Sequence, residues 1–217
     1  ISTHLVFLSA QFGGGRARRS AIFVVGNEVV TPKVSNFVLQ CRIKSRNMEF
    51  SELIKQRYSC KKYGSQQITA EQLQNILEAG RMAPTAKNLQ EQKVYVVQSA
   101  EGLAKIDQHT PCRYGAPTVL VVAYDKDNVY TYPGSQRQSG IEDAAIVATH
   151  LMLGAANVGV DSCWLNFFDP DLLAKELGLP ENEEIVMLLD LGYAAEGAAP
   201  LPNHANRKPL EETVTCL

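Results

Sequence analysis

"PTVLVVAYD", residues Pro117–Asp125, is the stretch that decides the fold of this chain. Its apolar side chains follow one another without a polar alternation, which is typical of a β-strand buried on both faces. Three further segments have the composition of strands, namely KVYVVQS at 93–99, DSCWLNFF at 161–168 and EIVMLLDLGY at 184–193. The sequence therefore predicts a central sheet that contains at least one fully buried strand.

Helical segments separate these strands. Thr69 and Gln72 have the spacing of a capping box at the start of one helix, and Asp169 followed by Pro170 is the start signal of another. An alanine-rich helix is expected over residues 141–158. Its small side chains would let a second helix approach closely, either in the core or at a dimer seam. This order of helices and strands predicts an α+β domain built around the central sheet.

The charge of the chain is divided unevenly along its length. Residues 1–47 hold seven Lys and Arg against one acidic residue, a balance of +6, whereas residues 48–217 hold fourteen against twenty-two, a balance of −8. The acidic main block argues against nucleic-acid binding through a basic face. No apolar run approaches the roughly 20 residues of a membrane helix. The five scattered cysteines predict reduced thiols in a cytoplasm, without a structural metal site.

The first 47 residues differ in composition from the rest. They include the Gly- and Arg-rich FGGGRARRS and the segment AIFVVGNEVV, which could form one strand. The basic residues follow the apolar run, whereas a cleavable signal would place them before it. We expect residues 1–47 to be a leader outside the core, with Met48 as the natural start of the domain at 48–217.

A cluster of functional side chains stands in RYSCKKY, residues 57–63. A helix is predicted to end near Tyr58, and in the extended chain that follows Ser59 and Lys61 lie on one face, within reach of Arg57. A guanidinium, a hydroxyl and an ammonium group together can hold a phosphate. On this stretch alone, compensation of the negative helix C-terminus by Lys and Arg is an equally good interpretation.

Four motifs in order resemble the nitroreductase family of flavoproteins. Arg57, Ser59 and Lys61 match an Arg-x-Ser-x-Arg/Lys motif at the end of the first helix, and APTAKNLQ at 83–90 matches Ala-Pro-Ser-x-x-Asn-x-Gln. LMLGAANVGVDSCW at 151–164 matches a long helix followed by Ser-Cys-Trp, with looser spacing, and Arg207-Lys208-Pro209 matches a terminal Arg-x-Pro. Many members continue with Gln-Pro-Trp where this chain has Gln90-Glu91-Gln92.

The resemblance implies an FMN-binding homodimer with a mostly antiparallel sheet flanked by helices and two sites at the subunit interface. Arg57 and Arg207 would bind the phosphate, Lys61 would lie near the pyrimidine edge, and the Pro84–Asn88 turn would come from the partner subunit. The backbone of Leu165–Phe167 would face the ring near N5. The implied FMN-binding residues are Arg57, Tyr58, Ser59, Lys61, Pro84, Thr85, Ala86, Asn88, Leu165, Asn166, Phe167, Arg207 and Lys208.

The chemistry implied by the resemblance belongs to the flavin. NAD(P)H would give a hydride to N5 and leave, and a nitroaromatic, quinone or related acceptor would then take the electrons in a ping-pong sequence. No side chain need act as an obligatory acid or base, although Lys61 could stabilise the reduced ring. An alternative is a flavin-storage or small-ligand-binding protein of the same fold with little turnover.

Overall fold

The computed structural model describes residues 23–25, 28–30 and 49–217. The chain divides into two compact units, Ile1–Arg46 and Asn47–Leu217. In the first unit, strand β1 (Phe23–Val25) pairs antiparallel with strand β2 (Glu28–Val30), where the sequence predicted one strand. The Gly-Asn dipeptide between them is a hairpin signal that this prediction overlooked. The rest of the predicted leader and its boundary at Met48 lie outside the described residues.

The second unit is an α+β domain around one sheet, as predicted. The strand order is β3-β4-β6-β5, and all neighbouring strands are antiparallel. Among residues 49–217, no helix has both the length and the apolar character needed to cross a membrane. The elements are α1 (Phe50–Gln56), α2 (Ala70–Arg81), β3 (Gln92–Val97), α3 (Ala100–His109), β4 (Thr118–Asp125), α4 (Gly140–Asn157), β5 (Asp161–Leu165), α5 (Pro170–Leu177) and β6 (Glu183–Gly192).

Strand β4 is buried on both faces, which confirms the prediction from its continuous apolar run. Leu120 and Val122 pack in one cluster with α2 and α4, while Val119 and Val121 pack in a second cluster with α3 and α5. Because successive side chains of a strand point to opposite faces, this single strand contributes to both halves of the core. The domain therefore has three layers, with a helix pair on each side of the sheet.

A β-bulge interrupts the pairing of β4 with β6. Val122 lies opposite Met187 and Ala123 lies opposite Ile185, so Val186 is the extra residue. The carbonyl of a bulged residue is freed from the regular ladder. The Val186 carbonyl accepts a hydrogen bond from Asn166 Nδ2 at 3.3 Å, which ties the bulge to the loop that follows β5.

The small residues of α4 pack within the chain. A Cβ atom added to Gly154 would lie 2.7 Å from the Cβ atom of Ala79, and one added to Gly80 would lie 2.5 Å from Leu151 Cδ2. These contacts join α2 to α4 at a separation that larger side chains would prevent. The sequence left open whether the small-residue face belongs to the core or to a dimer seam, and the structure assigns it to the core.

Candidate functional site

The segment Arg57–Tyr63 lies alongside strand β5. Ser59 forms a parallel bridge with Ser162, and the Cys60 N–H donates to the Ser162 carbonyl at 3.0 Å. Cys60 and Tyr63 are buried and anchor the segment from inside. Ser59, half-buried, and Lys61, exposed, flank Cys60, as expected for an extended chain. Helix α1 ends at Gln56, slightly earlier than predicted, so Arg57 is its C-cap residue.

Two of the three basic side chains of this segment, Arg57 and Lys61, have no anionic partner within residues 49–217. Within residues 49–217, neither Arg57 nor Lys61 forms an ion pair or donates a side-chain hydrogen bond to another residue. Lys61 Nζ lies 5.7 Å from the centre of the Tyr114 ring. Both groups are therefore available to bind an anion. Arg57 borders a cavity of about 200 Å³, which is lined by Leu53, Gln56, Arg57, Tyr58, Ala156, Gly159, Val160, Asp161 and Ser162.

Four ionisable groups in and beneath this segment hold their protons at neutral pH, whereas the acidic Asp161 lines the same cavity as Arg57. Burial raises the pKa of the Cys163 thiol to about 11 and the pKa of the Asp190 carboxyl to about 9. Burial likewise raises the pKa of Cys60, and it raises that of Tyr58 to about 12. All four groups are thus protonated at pH 7. The positive charge of Lys61, which acts on Cys163, remains uncompensated from below.

The Pro84–Asn88 turn follows α2, and Asp143 of α4 supports it. The Ala86 N–H donates to Asp143 Oδ1 at 3.0 Å, and Thr85 Oγ1 accepts from the Gln90 N–H at 3.0 Å. Lys87, Asn88 and Gln90 have φ angles of 53°, 56° and 55°, a conformation that is unfavourable for side chains other than glycine. The exposed Pro84 and Asn88 are presented by a strained backbone that its hydrogen bonds hold in place.

The segment Leu165–Phe167 leaves the end of β5. Leu165 is buried, whereas Asn166 and Phe167 are exposed. Trp164 Nε1 donates to Asn166 Oδ1, and the Asn166 amide reaches the bulge carbonyl of Val186. Within residues 49–217, no acceptor is bonded to the backbone N–H of Asn166 or Phe167. This loop thus offers free backbone donors on a fixed support.

The predicted C-terminal pair is exposed. Arg207 Nη1 donates to the carbonyls of His204 and Asn206 at 2.6 and 2.7 Å, and Lys208 Nζ lies 3.5 Å from Glu212 Oε2. The His204 ring meets the Tyr58 ring edge-on, with 6.4 Å between centroids. His204 thus links the C-terminal segment to Arg57–Tyr63. Sequence reasoning missed it, because its only signal is its position three residues before Arg207.

A single chain does not gather all the predicted site residues at one point. Arg57 borders the cavity beside Ala156, near the C-terminal end of α4, whereas Ala86 is bonded to Asp143 in its first turn. At 1.5 Å per residue, these two positions on α4 lie about 20 Å apart along the helix. The structure brings Arg57–Lys61 close to β5 and His204. The Pro84–Asn88 turn lies at the other end of α4.

An antiparallel sheet covered by helices on both faces, with the Arg57 guanidinium beside a cavity and Lys61 nearby in the chain, defines an α+β domain equipped to hold an anionic ligand. The sequence model of the nitroreductase family matches residues 54–113 and 111–193. The chain belongs to the nitroreductase family, which confirms the resemblance seen in its motifs.

Solved structures and a curated relative agree with this assignment. A nitroreductase family protein from Clostridium difficile 630 is 37% identical with a TM-score of 0.73, and the match covers 77% of this chain and 98% of that one. A nitroreductase with bound FMN from Bacteroides fragilis is 27% identical with a TM-score of 0.63, covering 78% and 99%. A Thermus thermophilus protein named NADH dehydrogenase is 28% identical over 197 residues, covering 73% and 91%.

Proposed function

We propose that this protein is an FMN-dependent oxidoreductase that takes electrons from NAD(P)H and passes them to a nitroaromatic, a quinone or a related acceptor. The observation that carries the proposal is a pair of cations without an ionic partner within residues 49–217: Arg57 borders a cavity, and Lys61 acts on the protonated Cys163. Similarity to the FMN-bound Bacteroides fragilis nitroreductase and to the Thermus thermophilus NADH dehydrogenase supports the choice of cofactor and donor.

The side chains present fit a flavin mononucleotide. Arg57 offers a fork of donors for phosphate oxygens, Ser59 adds a hydroxyl, and Arg207 supplies a further positive charge. Lys61 is the cation for the pyrimidine edge, where negative charge develops when the ring is reduced. Because the Cys163 thiol and the Asp190 carboxyl group are protonated, they do not compensate its charge.

The chemistry supplied by bound FMN is hydride acceptance at N5 and its return to the second substrate. The role of the chain is to bind the cofactor, to orient it and to exclude water. Leu165–Phe167 would hold the ring through the free N–H groups of Asn166 and Phe167. The Asn166 side chain is fixed by Trp164 and Val186, so this edge of the site is preorganised.

The proposal includes a homodimer with shared sites. The Pro84–Asn88 turn lies about 20 Å along α4 from Arg57, a distance that a second copy could bridge by bringing its own turn to the first chain's Arg57. An obligate pair of this kind buries about 2,000 Å² or more of mostly apolar surface. Suitable exposed apolar residues are Phe50, Ile54, Ile141, Ile146, Phe167, Leu201 and Leu210.

Two further parts of the proposal concern the compartment and the leader. The free thiols of Cys60, Cys112 and Cys163 suit a reducing compartment, so we place the enzyme in the cytoplasm. The opposite charge balance of residues 1–47 supports a leader outside the core. A chain shortened to Met48–Leu217 should keep its cofactor and its Tm, and a large loss of either would contradict this.

The test of the proposed function is direct. Purified protein should absorb in the flavin bands and release FMN on denaturation, and it should oxidise NADH or NADPH at steady state when a quinone or nitroaromatic is present. Absence of FMN binding would contradict the cofactor assignment. Binding of FMN without turnover of any donor and acceptor pair would instead support a flavin-storage protein of the same fold.

A further inference from the structure

Two carboxyl side chains are buried together behind the Thr85–Gln90 turn. Glu91, directly after the turn, is 1% exposed, and Asp143, in the first turn of α4, is 4% exposed. Within residues 49–217, Glu91 Oε2 and Asp143 Oδ2 are both buried without a hydrogen-bond partner. Two such acceptors are costly when no donor is present. One proton on either carboxyl group, donated to the other, would satisfy both.

The surroundings decide which residue carries the proton. Asp143 lies at the positive end of α4, and its Oδ1 accepts from the Ala86 N–H at 3.0 Å, so the negative charge is stabilised there. Glu91 Oε1 accepts only from the neutral hydroxyl of Ser139, at 3.4 Å. Burial, and then the neighbouring Asp143 carboxyl group, raise the pKa of Glu91 to about 7. Glu91 is thus the acid of the pair.

Other charged groups nearby are engaged elsewhere. Glu142 accepts hydrogen bonds from Tyr132 and from Arg137, the latter at 2.7 Å, and Lys87 Nζ lies 4.8 Å from the centre of the Tyr130 ring. The Asp125 N–H of β4 donates to the Glu91 carbonyl at 2.9 Å. The titratable and charged groups on the elements around the pair are Lys87, Tyr124, Asp125, Tyr130, Tyr132, Arg137 and Glu142.

We propose that Glu91 and Asp143 share one proton, and that this proton fixes the conformation of the Thr85–Gln90 turn. When it is lost, two buried carboxylates face each other, and their repulsion draws Asp143 away from the Ala86 N–H. The turn has three residues with positive φ, so it relaxes once that hydrogen bond is gone. Glu91 and Asp143 are therefore positioning residues for Asn88. Their effect on the flavin rests on the proposed function.

The proposal can be tested by amide hydrogen exchange of the turn in the full chain. Protection factors of Ala86–Gln90, corrected for intrinsic rates, would be measured between about pH 5.5 and pH 8.5. In the wild type they should be constant at low pH and fall above about pH 7, by up to about tenfold per pH unit for one linked proton. Protection that does not change with pH would overturn the proposal.

Three variants sharpen this experiment. In Glu91→Gln the amide donates permanently to Asp143 Oδ2, so protection should stay high at every pH. Asp143→Asn provides a second route to the same result, because its amide can donate to Glu91 while its oxygen still accepts from Ala86. Glu142→Gln alters a neighbouring carboxylate outside the pair and should keep the wild-type transition. A transition that persists in both amide variants, or that disappears in Glu142→Gln, would contradict the shared proton.

FMN affinity measured over the same pH range separates this proposal from the proposed function. If both hold, wild-type affinity weakens above about pH 7 while the affinity of Glu91→Gln does not. A clear exchange transition with constant FMN affinity would remove the turn from the flavin site and leave the shared proton intact. Absence of FMN binding at every pH would contradict the proposed function, and hydrogen exchange would still decide the role of the pair.

Discussion

The two ends of helix α4 lie next to two different kinds of candidate binding element. Near its C-terminal end, Arg57 and Lys61 project from an anchored segment and have no ionic partner within residues 49–217. Near its N-terminal end, the Thr85–Gln90 turn is a strained backbone held by hydrogen bonds from within the chain. The basic side chains of the first element are available to bind an anion. The conformation of the Thr85–Gln90 turn is maintained by hydrogen bonds to residues such as Asp143.

If the two elements meet in one shared site, as proposed, the two ends of that site depend on different physical interactions. Removing a free cation weakens binding directly, through the lost charge-assisted contact. Removing a support of the turn acts indirectly, through a conformation that is no longer held. Mutations at the two ends should therefore differ in the size of their effects, in their dependence on pH and in their dependence on the second subunit.

The largest effect is expected for Arg57→Ala. A charge-assisted contact contributes about 1.5–3 kcal/mol, so the affinity for FMN should fall by about ten- to over a hundredfold. Fluorescence titration of FMN measures this. Lys55→Ala is the matched control, because Lys55 lies two residues earlier on α1 and is exposed in an ion pair with Glu52. Equal losses in the two variants, or no loss in Arg57→Ala, would contradict the phosphate role of Arg57.

A subunit-mixing experiment tests whether the two elements meet across a dimer. Arg57→Ala and Asn88→Ala subunits would each be nearly inactive alone. If sites are shared, a mixed dimer has one intact site and one doubly damaged site. Random exchange in a twofold dimer should then restore about a quarter of wild-type activity. Confirmed exchange without recovery, or an active protein that sediments as a monomer, would contradict a site shared between two subunits.

The fold and the basic segment that contains Arg57 and Lys61 could be predicted from the sequence, because both depend on residue types. The apolar run at Pro117–Asp125 predicted a strand buried on both faces, and alternation predicted that Ser59 and Lys61 lie on one face of the chain. The two buried carboxyl residues behind the Thr85–Gln90 turn could not be predicted from the sequence. Glu91 and Asp143 are 52 positions apart in the chain, and nothing in their spacing indicates that α4 brings them together.

A smaller effect, on stability and not on FMN binding, is expected for Asp190, the buried carboxyl residue near Lys61. Because folding raises the pKa of Asp190 to about 9, its stabilising contribution is complete below the pKa of an unfolded aspartate and is lost as pH rises through about 9. Asp190→Asn cannot ionise, so its Tm relative to the wild type should increase between about pH 5 and pH 9. For a domain of this size, each 1 kcal/mol shifts Tm by about 2–4 °C.

Thermal unfolding followed by circular dichroism over this pH range measures the difference. Asp171→Asn, at an exposed position in the first turn of α5, should show the same pH dependence as the wild type. A constant difference between Asp190→Asn and the wild type across the range would mean that Asp190 does not hold its proton in the folded protein. The assignment of a protonated Asp190 near Lys61 would then be wrong.

The smallest effect is expected for Arg207→Ala, which tests how far the charged element extends. Arg207 is exposed, and its guanidinium already donates to the carbonyls of His204 and Asn206. An exposed charge contributes up to about 1 kcal/mol, so the affinity for FMN should fall by about fivefold at most. Because exposed charges are screened by salt, the difference should shrink at about 0.5 M salt, whereas the loss in Arg57→Ala should persist.

Arg207→Lys should recover most of the affinity, and Lys208→Ala, whose ammonium is paired with Glu212, should change it little. A loss in Arg207→Ala as large as that in Arg57→Ala, and equally resistant to salt, would show that assembly buries Arg207 against the phosphate.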